Sequence, residues 1–141
     1  MKLDLSALRA ALSALEKSVG YLKSELSKDS DLREQFRGAA IQAFEFTYEV
    51  AYKMIKRQLE QIAAAPAELD QMTFMQVVRS AAEAGLVADV ARFKNYRDKR
   101  NITSHTYNKQ RAEEIVGVLA DFVSDVRYLL SELERRNRGD T

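Results

Sequence analysis

Residues 32–64 read LREQFRGAAIQAFEFTYEVAYKMIKRQLEQIAA, and they decide the fold. Phe36, Ala39, Ala40, Ala43, Phe44, Thr47, Val50, Ala51, Met54, Ile55, Leu59 and Ile62 recur at three- and four-residue spacing, the period of a helix face. Phe46, Tyr48 and Tyr52 add aromatics on neighbouring faces, so the apolar arc is wide. A helix apolar over a wide arc is central in a bundle or shared with a second subunit. Small residues at 39, 40, 43 and 51 permit close helix approach. Asp31, with Glu34 three residues on, reads as the N-cap, and Pro66 closes the segment.

The flanking sequence fits the same pattern. One proline and five glycines in 141 residues are few breakers, as helical chains have. Upstream, from about Asp4, Leu5, Leu8, Leu12, Leu15, Val19, Leu22 and Leu26 form one stripe. Downstream, APAELDQ (65–71) is a connector, and Thr73 caps a short helix, Phe74 to Ala84, whose inner residues are Val77, Val78 and Ala81. Gly85 suits the position just past a helix end. Residues 86–100 read as a further helix, with Leu86, Val90, Phe93 and either Tyr96 or Arg97 toward the core. Asn108 caps a last helix to about Arg136, its stripe Ile115, Leu119, Phe122, Val126, Leu129, Leu130 and Leu133. Arg135, Arg136 and Arg138 complement the dipole at its end. The expectation is an all-α, antiparallel up-down bundle of four main helices plus one short helix. It is one domain over 1–141, with 137–141 a frayed tail.

Composition narrows the chemistry. Hydrophobic residues are 46% and charged residues 30%, as in soluble globular proteins. The formal charge is +1, so net charge argues neither for nor against nucleic acid. With no cysteine and one histidine there is no disulfide, no thiol nucleophile and no thiolate or histidine-rich metal site. The start lacks a basic region followed by an unbroken apolar run, and no stretch approaches the length of a membrane span. A cytoplasmic protein is expected, with no membrane contact, no bound metal and no cofactor.

The only histidine lies in RNITSHTY, residues 100–107. On an ideal helix Arg100 and His105 lie about 140° apart and do not share a face, whereas Asn101 and His105 do. Thr103 and Ser104 weaken the helix after Asn101. Either Arg100 reaches round, or the helix gives way and Arg100, Asn101, His105 and Tyr107 line one polar cleft. Histidine exchanges protons near neutrality, and arginine offers a fork of donors to phosphate. With the 2′-hydroxyl of RNA as nucleophile, such a pair supports strand cleavage without a metal. One histidine per chain leaves the second proton-transfer role open, which a two-fold dimer would fill. From Arg92 to Arg111 seven basic residues stand against one acid, Asp98. Lys94, Arg97, Lys99, Lys109 and Arg111 are candidate RNA contacts, and Tyr96 and Tyr107 candidate stacking platforms. The same residues also read as a helix-end cap and a solvated face.

The element Arg100–Asn101, three residues, His105–Thr106–Tyr107 resembles the R-x4-H-x-Y signature of HEPN-domain proteins, in the branch of nucleotidyltransferase substrate-binding proteins. FEFTYEVAYKMIKRQL (44–59) and VRSAAEAGLVADVARF (78–93) are similar to segments of that branch and precede the signature in the same order. The family often has tryptophan where Tyr52 stands. The resemblance implies a helical bundle that forms a homodimer with the two motifs facing each other. It implies a neighbouring minimal nucleotidyltransferase (MNT) as partner and, in several pairs, a toxin–antitoxin system. In these the HEPN protein is a metal-independent ribonuclease, silenced when the partner attaches AMP from ATP to the tyrosine. By position Arg100 and His105 are then the catalytic pair, Asn101 the polar residue beside them, and Tyr107 the AMP acceptor. The added charge is expected to compete for Arg100, and the adenosine to fill space that RNA needs. The alternative is a non-enzymatic subunit that presents substrate or nucleotide to the nucleotidyltransferase. A purely structural adaptor is a third reading.

Overall fold

The computed structural model describes residues 2–138, and among them all regular structure is helical. Six α-helices run in chain order: α1 (Ser6–Leu22), α2 (Ser30–Ile62), α3 (Phe74–Glu83), α4 (Val90–Asn101), α5 (Lys109–Val116) and α6 (Leu119–Arg136). Short 3-10 turns, Glu25–Lys28, Pro66–Gln71 and Thr103–His105, join three of the pairs. None of the described helices is long and apolar enough to cross a membrane.

The 33-residue α2 is the spine of the bundle. Its buried side is Ala40, Ile41, Phe44, Thr47, Tyr48, Ala51, Met54, Ile55, Gln58 and Leu59, the heart of the expected stripe. Two residues expected in the stripe are exposed: Ala39, which faces the groove beside α5, and Ile62, where the helix ends and Ala63 turns to extended backbone. The N-cap is Asp29, whose carboxylate accepts from the backbone of Asp31 and Leu32; it is not Asp31. Asp31 falls in the first helical turn, where an acid still favours the dipole.

The first helix packs antiparallel along α2: Thr47 donates its hydroxyl to the Ala11 carbonyl at 3.2 Å, and Tyr21 stacks on Phe36 at 5.1 Å. Its expected stripe stops early. The helix ends at Leu22, and Leu26, now in a 3-10 turn, is 53% exposed. Thr73 heads α3 with a full capping box with Gln76. Gly85 then adopts φ +81°, and the Leu86 N–H returns to the Ala81 carbonyl, the usual left-handed helix stop. That close costs α4 its expected first turn: it begins at Val90, with Asp89 accepting from the Arg92 N–H.

Asn108 caps α5 as expected, accepting from Gln110 and Arg111. The single last helix is instead two, broken at Gly117–Val118. Ile115, Leu119, Phe122, Val126, Leu129 and Leu133 stay buried across the break. Arg136 donates to the Ala84 carbonyl, joining the end of α6 to the end of α3. Asn137 is anchored and not frayed: its side-chain carbonyl oxygen accepts from Leu3 N–H at 3.0 Å, and its amide donates to Gln58 at 2.9 Å. Residues 139–141 lie outside the described residues.

Phe44, Phe122 and Tyr96 meet edge to face at the centre, with centroids 4.8 and 5.0 Å apart. Each such ring contributes about 1.5–3 kcal/mol through burial. Asp125 is buried beside them and accepts from the Tyr96 hydroxyl and, at 2.9 and 2.7 Å, from Arg92. This fixes α4 against α6 and leaves the far end of α4 to carry the RNITSHTY element.

Candidate functional site

The helix gives way where Thr103 and Ser104 weaken it. The Thr103 hydroxyl lies 2.8 Å from the Arg100 carbonyl and 2.9 Å from the Glu45 carboxylate, bonding the last turn of α4 to α2. Asn101 is the last α-helical residue, and the chain then winds through the tighter turn Thr103–His105. Backbone bonds from His105 to Ile102 and from Asn108 to His105 keep residues 102–108 coiled tightly.

Arg100 turns toward the long helix. Its Nε donates to Glu49 at 2.5 Å and its Nη1 lies 3.3 Å from Glu45. The Glu49 hydrogen bond holds this guanidinium even further above neutrality than usual. Its side chain remains 33% exposed, so the ion pairs do not close it off from solvent. His105 and Asn101 are exposed. Tyr107 is 88% exposed, and its ring meets that of His105 edge to face at 6.2 Å.

The basic residues around the histidine divide into three kinds. Lys109 and Arg111 are exposed at the start of α5. Lys94 is exposed and pairs with Asp98 at 3.2 Å, and Lys99 is half-buried. Arg97 is exposed overall but lies over the Phe74 ring at 4.5 Å. Tyr96 is not a stacking platform: it is 1% exposed, and its hydroxyl is bound to Asp125. Of the two residues expected inward, Tyr96 takes the core and Arg97 the surface. Burial raises the Tyr48 and Tyr52 phenols above the ordinary value and keeps them protonated.

Beside the turn a groove runs between the N-terminal half of α2 and the start of α5. Two cavities of about 640 and 490 Å³ share Glu34, Arg37 and Thr106. Tyr107, Lys109, Arg33 and Glu113 line the larger. Arg100, Asn101 and His105 line neither, so the expected single cleft is divided, with Tyr107 on the groove and the other three outside it. Glu113 accepts from Arg33 at 3.0 Å and from Arg37 at 2.9 Å. Burial alone would raise its carboxyl, but the two guanidinium hydrogen bonds outweigh that and hold it below its ordinary value.

Sequence reasoning missed Glu45, Glu49, Arg33, Arg37 and Glu113. One signal was present: Glu45 and Glu49 are spaced i, i+4 and flank the buried Phe44, Thr47 and Tyr48, so both sit at the edge of the core stripe.

Comparison with known proteins bears on the family and the fold. Residues 3–135 match the family described as nucleotidyltransferase substrate binding protein like. A Haemophilus influenzae protein named "Probable ribonuclease HepT" is 37% identical, over 99% of this chain and 97% of its own length. A solved H. influenzae structure, HI0074, described as the fold of a substrate binding domain of a nucleotidyltransferase, superposes with TM-score 0.88. It has 36% identity and covers 93% of this chain and 99% of its own. A Thermus thermophilus crystal structure aligns with TM-score 0.69 and 27% identity, over 89% of this chain and 98% of that one.

Proposed function

Because the chain belongs to the family of nucleotidyltransferase substrate binding protein like proteins, we propose that it is a metal-independent endoribonuclease controlled by a partner nucleotidyltransferase. The relative named a probable ribonuclease supports the nuclease part, and the family supports the partner.

The observation that carries the reading is the setting of Arg100 and His105. Arg100 is braced by Glu45 and Glu49 yet stays partly exposed, and His105 stands exposed five residues on, where the helix has ended. His105 assists the proton transfers as the RNA 2′-oxygen bonds to phosphorus and the bond to the 5′-oxygen breaks. The products are a 2′,3′-cyclic phosphate and a 5′-hydroxyl. Arg100 donates to the non-bridging oxygens as charge grows on them. A homodimer that brings both exposed turns together supplies the second histidine.

The silenced form carries AMP on Tyr107. Its phenol oxygen attacks the α-phosphorus of ATP on the partner, pyrophosphate leaves, and the phenol proton passes to a base or water. In this reading the pair is a toxin and its antitoxin. The test is intact mass and RNA cleavage before and after incubation with the partner and ATP. A gain of AMP on Tyr107 with loss of cleavage is expected. Unmodified protein that leaves RNA intact would sink the nuclease.

A second reading is favoured by the description of HI0074 as a substrate binding domain. Here the chain presents substrate to the nucleotidyltransferase without cutting RNA. It predicts normal growth when the chain is expressed without its partner, whereas the first predicts arrest.

A further inference from the structure

The groove that Tyr107 borders excludes the catalytic pair. Three acidic residues (Asp31, Glu34, Glu113) and three basic residues (Arg33, Arg37, Lys109) line it. A balanced lining does not attract a polyanion such as an RNA strand. The balance is local, however. Arg33 and Arg37 share one carboxylate, Glu113, and each uses one of its five N–H donors there. The trio carries one net positive charge, and its remaining donors are free to serve a phosphate. The Arg37 side chain is only 12% exposed, so its guanidinium is held in place. Gly38 has open space where a Cβ would stand, and it adjoins Ala39 on the groove floor.

We propose that this groove is the seat of the nucleotide carried on Tyr107: the phosphodiester lies against Arg33 and Arg37, and the base rests over Gly38 and Ala39. The proposal rests on the reading of Tyr107 as the AMP acceptor. The charges match, since a tyrosine–AMP phosphodiester carries a single negative charge. The volume matches too, because sites for small ligands span roughly 300–1,000 Å³. Tethering makes the docking intramolecular, so weak individual contacts suffice. Arg100, already braced by two carboxylates, is the poorer donor to that phosphate. No bond changes in the seating itself. Its effect is to pin Tyr107 and its cargo beside His105, whose ring lies 6.2 Å away, and to close the approach to that histidine.

The test begins with the full-length chain incubated with its partner nucleotidyltransferase and ATP, and the AMP located by peptide mass. If no AMP lies on Tyr107, the modification reading and the seat fall together. With AMP on Tyr107, nuclear Overhauser contacts are expected from the adenine protons to the methyl groups of Ala39 and Thr106. Removal of AMP by a nonspecific phosphodiesterase is expected to be about tenfold slower than from an Arg33→Gln/Arg37→Gln variant. Sharp adenine lines without such contacts, together with equal removal rates, leave the modification standing and overturn the seat. A second copy covering the groove would give the same absence of contacts and overturn it too. Should the double variant fail to fold, the contacts in the wild-type chain decide alone.

Discussion

Arg92 and Arg100 stand near opposite ends of α4, and each is held by carboxylates from another helix. Asp125 takes both arms of Arg92 at 2.9 and 2.7 Å, is itself buried, and also receives the Tyr96 hydroxyl. Glu45 and Glu49 hold Arg100 from the protein side, but their side chains are 40% and 53% exposed. In the first cluster the acid is buried and both its oxygens are taken, although Arg92 itself stays partly exposed. The second is solvated, so a phosphate competes with its carboxylates on fair terms. Burial of the acid, more than the presence of an ion pair, separates the arginine that holds the fold from the arginine whose carboxylates water still reaches.

The comparison breaks first at the Arg100 end, where the proposed nuclease places its chemistry. His105→Ala and Arg100→Ala are each expected to lower the rate of RNA cleavage about 10²–10⁴-fold with unfolding midpoints almost unchanged. A large loss of stability in either would make this end structural after all. Next comes the buried end. Asp125→Ala leaves the Tyr96 hydroxyl without its acceptor in the core and is expected to cost about 3 kcal/mol in urea unfolding. A neutral result would remove the contrast. A smaller effect sharpens it: Glu49→Gln weakens the competition for Arg100 and is expected to lower the KM for RNA about threefold. A rise in KM would mean that Glu49 positions the guanidinium for substrate. Smallest of all is the solvated pair between the two clusters. Lys94→Ala, which breaks the contact with Asp98, is expected to change stability by about 0.3 kcal/mol, measured in the same urea titration.

What the sequence reveals and what it hides follow one division. Local signals were legible. Thr73, Gly85 and Asn108 act through neighbours close in sequence, and each is found in its expected role. The core stripe of α2 was legible because burial repeats with the helix. The break at Gly117–Val118 was hidden, since the apolar residues on either side keep their spacing through it. Asp29 and Asp31 are chemically equal as caps, and only the extended backbone at Asp29 (ψ 123°) distinguishes them. At the site, the end of the helix was foreseeable from Thr103 and Ser104. Its partners were not: Glu49 lies 51 residues from Arg100, and Arg37 lies 76 from Glu113. Pairings of that reach depend on how the helices pack, which no window of sequence contains.

The long helix also has a consequence for the order of events at the ribosome. Polypeptides emerge N-terminus first, at roughly 5–20 residues per second. The α1–α2 hairpin, whose contacts are local in sequence, is free to form while later residues are still being made. Glu45 and Glu49 are in place early, on a helix complete by Ile62, whereas Arg100 and His105 follow roughly forty residues later. A nascent chain therefore carries the two bracing carboxylates well before the residues they meet, and the RNITSHTY end is completed only late in synthesis.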